Sequence, residues 1–536
     1  MDEHHKLECL ESLDKMIDKY KNDTYMLNRI HSHITHNLPN TLEYEHRNHE
    51  RRIDRANFLS KEQETFIQVF LQKNLYFYLC GPNLFYKYDG INYQIVREDD
   101  IIHNLLSTIS KDRVLLDWKQ KTKIHILKLI KEGKSLFNSI PESDTIQSVL
   151  NTLCPTFFEN KRYTKYFLTV LGDNILKKNS HLIFLMNTEM KKIMSVLDNI
   201  SDISIGFNGV TSNFVTKYHE SHLYENCRLI KMNENVSREL WKDAIKKIGL
   251  NLICVAVHYS KRYDNSDSYV EKQMDDDHKK YINYVKNHTS IEIVNEFCGN
   301  YIQEQNSELG VMSIDWKNLH FVWKQFLNDK QYPNMMYLQT LKSHLIDKYE
   351  YDKEKDLFYG IASQFIPLQR EFLNFWDKNI TNSETAVDPI SNFDNELEID
   401  EICVLFKSWL KQNSEHKISG CNISENTILK IISHYYNTVE IVEDKYLLNI
   451  SCVLWDKIND IRESFEYIKS SLETYDYEIV PFDDVYNYYY EYTRKTDTKM
   501  IVSKRYFSKY LYYMYSDNIV YDKFIEIKFL YSIENI

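Results

Sequence analysis

Apolar residues recur along most of the chain at three- and four-residue intervals, the period of helices with one face against a core. In "PESDTIQSVLNTLC", Ile146, Val149, Leu150 and Leu153 fall at i, i+3, i+4 and i+7. Similar stripes predict helices in "SKEQETFIQVFLQKN" (Phe66, Val69 and Phe70 on one face), in "RYTKYFLTVLGDNILKK" and in "TEMKKIMSVLDNI". Another begins at Asp99 and Asp100, whose carboxylates suit a helix N-terminus. "VSRELWKDAIKKIGLNLICVAVHYSKRY" predicts a helix pair. Elsewhere the period shortens. "LYFYLCGPNLFYKYDGINYQIV" predicts two or three short strands with turns at Gly81-Pro82-Asn83 and Asp89-Gly90, and "SHLIFLMN" a buried strand. "ISIGFNGVTSNFVTKYHE" reads as loop-rich.

The C-terminal half repeats one layout three times, namely a helix, a turn, a second helix and a strand–turn–strand. In the first repeat Leu319, Val322, Trp323 and Phe326 stripe one helix. Pro333-Asn334 opens a second with Leu338, Leu341 and Leu345, and "YEYDKEKDLFYGI" forms the hairpin. In the second, Ile402, Leu405, Phe406 and Trp409 precede a helix capped by Ser424 with Ile428, Ile431, Ile432 and Tyr435. "VEIVEDKYLLNI" turns at Glu443-Asp444-Lys445. In the third, Val485, Tyr488, Tyr489 and Tyr492 precede a helix capped by Ser503 with Phe507, Tyr510, Leu511 and Met514, then "IVYDKFIEIKF". This is the grammar of a winged helix-turn-helix, whose second helix can enter a major groove beside the hairpin.

The fold class is therefore mainly α (α+β), a multi-domain helical protein with small β-hairpins and several winged-helix-like modules. The predicted layout is a polar mobile arm over 1–55, a small α+β module over 56–112, and helical domains over 113–235 and 236–310. Winged-helix-like modules follow over 311–380, 381–475 and 476–536. A length of 536 residues suits several domains rather than one core.

Composition narrows the chemistry. No apolar run approaches the ~20 residues of a membrane span, and "MDEHHKLECL" is not a secretory leader. These features predict a soluble intracellular protein with no membrane partner. The nine cysteines include no C-x-x-C pair, so neither a zinc knuckle nor a disulfide framework is indicated. A net charge of −12 argues against a protein that coats nucleic acid, though it leaves room for a local basic face. Part of the bias toward the 41 tyrosines reflects A/T-rich codons, while only 11 glycines disfavour glycine-rich cofactor folds.

Candidate catalytic features each fail on spacing or context. Gly133-Lys134-Ser135 matches the end of a phosphate-binding loop, but Lys128 stands where the first glycine belongs and a helical stripe precedes it. Gly133 is better read as a left-handed residue just past a helix end. His31, His33, His36, His46 and His49 lack a fixed geometry for metal, and Asp275–Lys280 suits a solvated helix face. His258, beside Tyr259 and Ser260, follows a very apolar run and is expected to be a satisfied histidine. No H-E-x-x-H or G-x-S-x-G occurs. No catalytic residue, metal site or cofactor is expected.

For phosphate contact the third repeat is the strongest. Its second helix offers Lys504, Arg505 and Lys509, and the aromatics of "SKRYFSKYLYYMY" suit either base stacking or a core face. The first offers Lys342 and Lys348, whereas the second sets Glu425 against little but Lys430.

The blocks "YFYLCGPNLFYKYDGINYQIVREDDIIHNLLSTIS", "LLDWKQKTKIHILKLIKEGKSLFNSIPESDTIQSVLNTLCPTFFENKRYTKYFLTVLGDNILKKN" and "HYSKRYDNSDSYV" resemble an uncharacterised family of nucleo-cytoplasmic large DNA viruses, mimivirus relatives especially. Part of this stretch resembles the helical domain preceding the helicase of poxvirus-type primase-helicases. "DDVYNYYYEYTRK" and "MIVSKRYFSKYL" resemble their winged C-terminal region. The helicase motor is missing, since no complete phosphate-binding loop occurs, and Asp264 and Asp267 lie in a turn-like stretch rather than at a strand end. The resemblance implies a non-catalytic, nucleic-acid-associated viral factor in genome replication or expression, located in the host cytoplasm at the viral factory. Its partners would be DNA or RNA and other viral proteins. The alternative is a protein-binding scaffold of a viral transcription, translation-initiation or replication complex.

Overall fold

The computed structural model describes residues 3–133, 135–219, 222–233, 236–304, 312–382, 395–413, 424–472, 478–496 and 500–531. It is mainly helical with small sheets and divides into two compact units, 1–289 with 332–337, and 290–331 with 338–536.

The first unit opens with α1 (Glu3–Lys19), α2 (Thr24–Ser32) and α3 (Leu38–Lys73). The polar N-terminal stretch is thus helical although its apolar period is weak. It contains no glycine, and i,i+4 pairs such as Glu43–Arg47 at 2.8 Å line its surface, each adding about 0.2–0.5 kcal/mol. No residue of α1 or α2 is buried. The buried face of α3 is Leu59, Gln63, Ile67 and Phe70, whereas Val69 is 58% exposed. The predicted stripe was rotated because Gln63, bonded to Thr122 at 2.9 Å, occupies a core position that apolar letters do not mark.

The meander β1 (Leu75–Leu79), β2 (Leu84–Tyr88) and β3 (Tyr93–Val96) follows, with its turns where predicted. Next come α4 (Glu98–Asp112), α5 (Lys119–Gly133) and α6 (Ser143–Leu153). Gly133 is the last residue of α5 and does not take the left-handed conformation expected of it. A β-carbon there would meet nothing within 4 Å, so no close approach calls for glycine either.

The centre of this unit is α7 (Lys161–Ile175) crossing α9 (Arg238–Tyr263), with β4 (Ile183–Leu185), α8 (Thr188–Ile205), β5 (Phe214–Val215) and β6 (Cys227–Leu229) between them in sequence. Helix α9 is the predicted pair joined across a break at Gly249 (φ 31°, ψ −112°). The three strands form a parallel sheet in the order β5-β4-β6. Only β4 was predicted, because two- and three-residue strands carry no readable period. Helices α10 (Ser266–Gln273), α11 (Asp276–Ile282) and α12 (Tyr284–Asn287) complete the unit. Segment 332–337 belongs here, since Tyr332 stacks on Tyr284 and the Asn334 and Met335 carbonyls accept from Tyr218 and Tyr224.

The second unit consists of three copies of helix–strand–helix–helix–strand–strand. The first is α13 (Ser290–Tyr301), then β7 (Gln303–Glu304), β8 (Ser313–Asp315), α14 (Trp316–Asp329), α15 (Leu338–Lys348), β9 (Tyr351–Asp352) and β10 (Leu357–Tyr359), with β11 (Ile361–Ala362) pairing back to β7. The second is α16 (Ile366–Asn379), β12 (Ile380–Asn382), β13 (Glu396–Glu398), α17 (Ile399–Asn413), α18 (Glu425–Tyr435), β14 (Glu440–Val442) and β15 (Tyr446–Leu448), with β16 (Ile450–Cys452) pairing back to β12. The third is α19 (Lys457–Leu472), β17 (Ile479–Pro481), α20 (Phe482–Lys495), α21 (Lys504–Met514), β18 (Ile519–Val520) and β19 (Phe524–Glu526). Their three-stranded sheets share one order, first–third–second, as β8-β10-β9, β13-β15-β14 and β17-β19-β18.

The predicted stripes hold in packing terms at most positions, although Leu338 is exposed and Tyr488 and Tyr492 are only half-buried. Leu319, Val322, Trp323 and Phe326 are buried, as are Ile402, Leu405, Phe406 and Trp409, and Val485 and Tyr489. Ser424 and Ser503 cap their helices, accepting from Thr427 N and Tyr506 N, each at 3.2 Å. Helix α15 starts at Leu338 rather than at Pro333-Asn334, since that dipeptide is held by the first unit. Every module also begins one helix earlier than predicted. Helices α13, α16 and α19 pack on the helices that follow them, as where Phe297 of α13 meets the Trp323 ring edge-on at 5.2 Å.

Modules one and two meet at a histidine pair. His320 of α14 lies 5.1 Å, centre to centre, from the ring of His434 on α18. The His434 Nδ1 faces Lys324 Nζ at 3.0 Å and its Nε2 donates to the Lys317 carbonyl, also at 3.0 Å. Burial, then Lys324 and His434, holds His320 down to about 4. Burial, with Lys324 and Lys317 beyond it, lowers His434 as well, against the pull of that carbonyl and of Asp315. Both groups bind protons more weakly when folded. The His320 contribution is complete above the ordinary 6.5 and is lost as pH falls toward about 4, and that of His434 is lost in the same direction. The melting temperature should therefore drop through that window, and His320→Gln should remove part of the drop.

Candidate nucleic-acid interface

Helix α21 buries Tyr506, Phe507, Tyr510 and Leu511 and turns Lys504, Arg505, Ser508, Lys509 and Tyr512 outward. Opposite this face stands the β18–β19 hairpin, whose turn places Tyr521 and Asp522 at φ 54° and 58°. Between helix and hairpin lies an open groove of about 600 Å³. Phe482, Tyr512 and Phe524 line it with Arg505, Lys509 and Lys523. Lys523, in the hairpin turn, was not legible as a site residue, since only the strand pairing brings it across from α21.

The groove is not a purely cationic track. Asp483 and Asp522 also line it. Lys504 Nζ is 2.8 Å from Asp483 Oδ1. Arg505 Nε is 3.4 Å from Glu396 Oε1, and its guanidinium stacks 3.8 Å above the Tyr446 ring. Lys509 Nζ pairs with the other oxygen of Glu396. The Glu396 side chain is only 10% exposed, while those of Arg505 and Lys509 stay 42% and 41% exposed. Two cations of the third module thus share one carboxylate of the second.

The remaining predicted cations also have internal partners. Lys342 Nζ reaches Asp356 Oδ1 at 2.8 Å, with the Trp316 and Tyr351 rings each 5.2 Å away. Lys348 Nζ donates to Asn295 Oδ1 at 3.1 Å. Lysines 342 and 348 therefore tie α15 to its own hairpin and to α13.

His258 is not the satisfied histidine expected, for its Nε2 is buried without a hydrogen-bond partner, and burial followed by Arg262 lowers its affinity for protons. Its neighbours diverge at ~100° per residue. Ser260 donates to Asp173 at 2.6 Å, and Tyr259 stacks on Tyr263. Asp267 grips the buried Arg228 through two bonds of 2.9 and 2.7 Å, while Asp264 Oδ2 accepts from Asn265, so the pair does not form a joint site. Asp275 caps α11 by accepting from His278 N. Among the described residues no three His, Cys, Asp or Glu converge to hold a metal ion, and no helix is long and apolar enough to cross a membrane.

No family model, curated protein or solved structure matches this chain.

Proposed function

We propose that this chain is a non-catalytic nucleic-acid-associated factor whose third winged module makes the contact. The replication or expression role follows from its resemblance to viral primase-helicases. The observation carrying the reading is the juxtaposition of Arg505, Lys509 and Lys523 around one helix-and-wing groove, with Lys504 paired to Asp483 of its lining. That is the arrangement by which a second helix and its hairpin straddle a phosphate backbone. The neighbouring carboxylates limit the contacts to a few. Binding of a labelled oligonucleotide, followed by anisotropy against salt, should give a shallow slope, with each phosphate contact adding roughly 0.7–0.9. A K504A/R505A/K509A variant should bind weakly with a slope shallower by about 2. Parent-like binding by that variant overturns the proposal.

A second reading, a protein-binding scaffold, is favoured by a separate observation. Helices α15 and α18, the counterparts of α21, are docked within the chain against α13 and α14. Modules whose second helices serve packing are architectural. Co-purification with and without nuclease separates the readings, because only scaffold contacts survive digestion.

A further inference from the structure

We propose that Glu396 is an internal stand-in for a phosphate, and that nucleic acid binding displaces it and frees α21 from β13 and β15 of the second module, while the Lys457–Glu401 pair keeps α19 in place. The inference rests on the nucleic-acid reading above and adds its regulation. Glu396 lies on β13 of the second module and receives both Arg505 and Lys509 from α21. A guanidinium and an ammonium converging on a single pair of oxygens present the charges with which proteins hold a phosphate. Arg505 is further held flat against Tyr446 of β15, in the second module's hairpin. The cations stay about two-fifths exposed on the groove side while the carboxylate is nearly buried. A polyanion can therefore approach them from the groove without first removing Glu396.

Beside this contact, other buried carboxylates of the same stretch hold cations that are not in the groove. Glu398 pairs with Lys445 at 2.8 Å and Glu401 with Lys457 at 2.6 Å. Those pairs stay inside the second module or clip α19 to it. Of these three pairs, that of Glu396 is the one whose cations line the groove, so it is the pair a ligand there can exchange with.

The closed contact lowers apparent affinity by the fraction of molecules it holds shut, so a form nine-tenths closed binds about tenfold more weakly. The test uses the full chain and two probes of equal length, a duplex and a single strand of DNA. Glu396→Gln should raise affinity about tenfold and leave the salt slope unchanged, since the same two cations meet phosphate in both complexes. An R505A/K509A variant should bind weakly whether or not Glu396→Gln is present. Unchanged affinity in Glu396→Gln, with binding still lost in R505A/K509A, sinks the displacement and leaves the site standing. Parent-like binding by R505A/K509A sinks the site itself. Hydrogen exchange on the unmutated protein covers the case where Glu396→Gln fails to fold. Amides of 396–398 and 446–448 should exchange faster once DNA is bound, and unchanged protection there overturns the proposal.

Discussion

Replacing Lys457 by alanine is expected to cost the second unit about 3–5 kcal/mol, the range for removing one partner of a buried ion pair. Lys457 is 3% exposed. Its ammonium donates to Glu401 Oε2 at 2.6 Å and to the Glu396 carbonyl at 3.0 Å, and lies 4.5 Å from the centre of the Tyr506 ring. It therefore joins α19, the start of α17 and α21. Without it, Glu401 becomes a buried charge whose Oε1 already lacks a partner. Burial outweighs Lys457 and raises the Glu401 carboxyl above its usual range even in the intact pair. Without Lys457 the carboxyl should be pushed up further, toward its protonated form, which limits the cost. The loss should show as a melting temperature lower by ~10 °C, at about 2–4 °C per kcal/mol for a unit of this size. Trp409 and Trp455 lie in this unit and report its unfolding by fluorescence. K457M combined with E401L, which replaces both charges with apolar volume, should recover most of the loss. If K457A alone melts like the parent, the pair is not structural.

Gly172→Ala should destabilise the first unit by at least ~2 kcal/mol, at the upper part of the range for overpacking a core. A β-carbon there would lie 2.1 Å from the Ala256 carbonyl oxygen and 2.6 Å from its carbon. Those are backbone atoms of α9 and cannot rotate away, so α7 and α9 must part along the centre of the core. The helix-propensity gain of replacing glycine, roughly 1 kcal/mol, is too small to offset this. Gly299→Ala provides the contrast. It lies in α13 with nothing within 4 Å of a new β-carbon, so the same substitution should be neutral or stabilising by up to about 1 kcal/mol. Urea unfolding followed by far-ultraviolet circular dichroism, which reports the helices of both units, reads the difference. A Gly172→Ala midpoint equal to the parent's would contradict the close crossing.

Much of the architecture is legible in the order of residues because helix periodicity is a local property. The stripes at 319–326, 402–409 and 485–489, the caps Ser424 and Ser503 and the turns at 81–83 and 443–444 each need only a few neighbouring residues, and the structure has them in those roles. The leading strands β8, β13 and β17 were not legible. Three residues carry no period, and each exists only through pairing with a strand far along the chain. The same limit hid β5 and β6.

The site divides along the same line. That Lys504, Arg505 and Lys509 share a polar face of one helix follows from their spacing alone. That Lys523 joins them, and that Glu396, more than a hundred residues earlier, neutralises two of them, was decided by tertiary structure. Charge acts through space within about 8 Å at physiological salt, and no local pattern records which distant residue folding brings inside that radius.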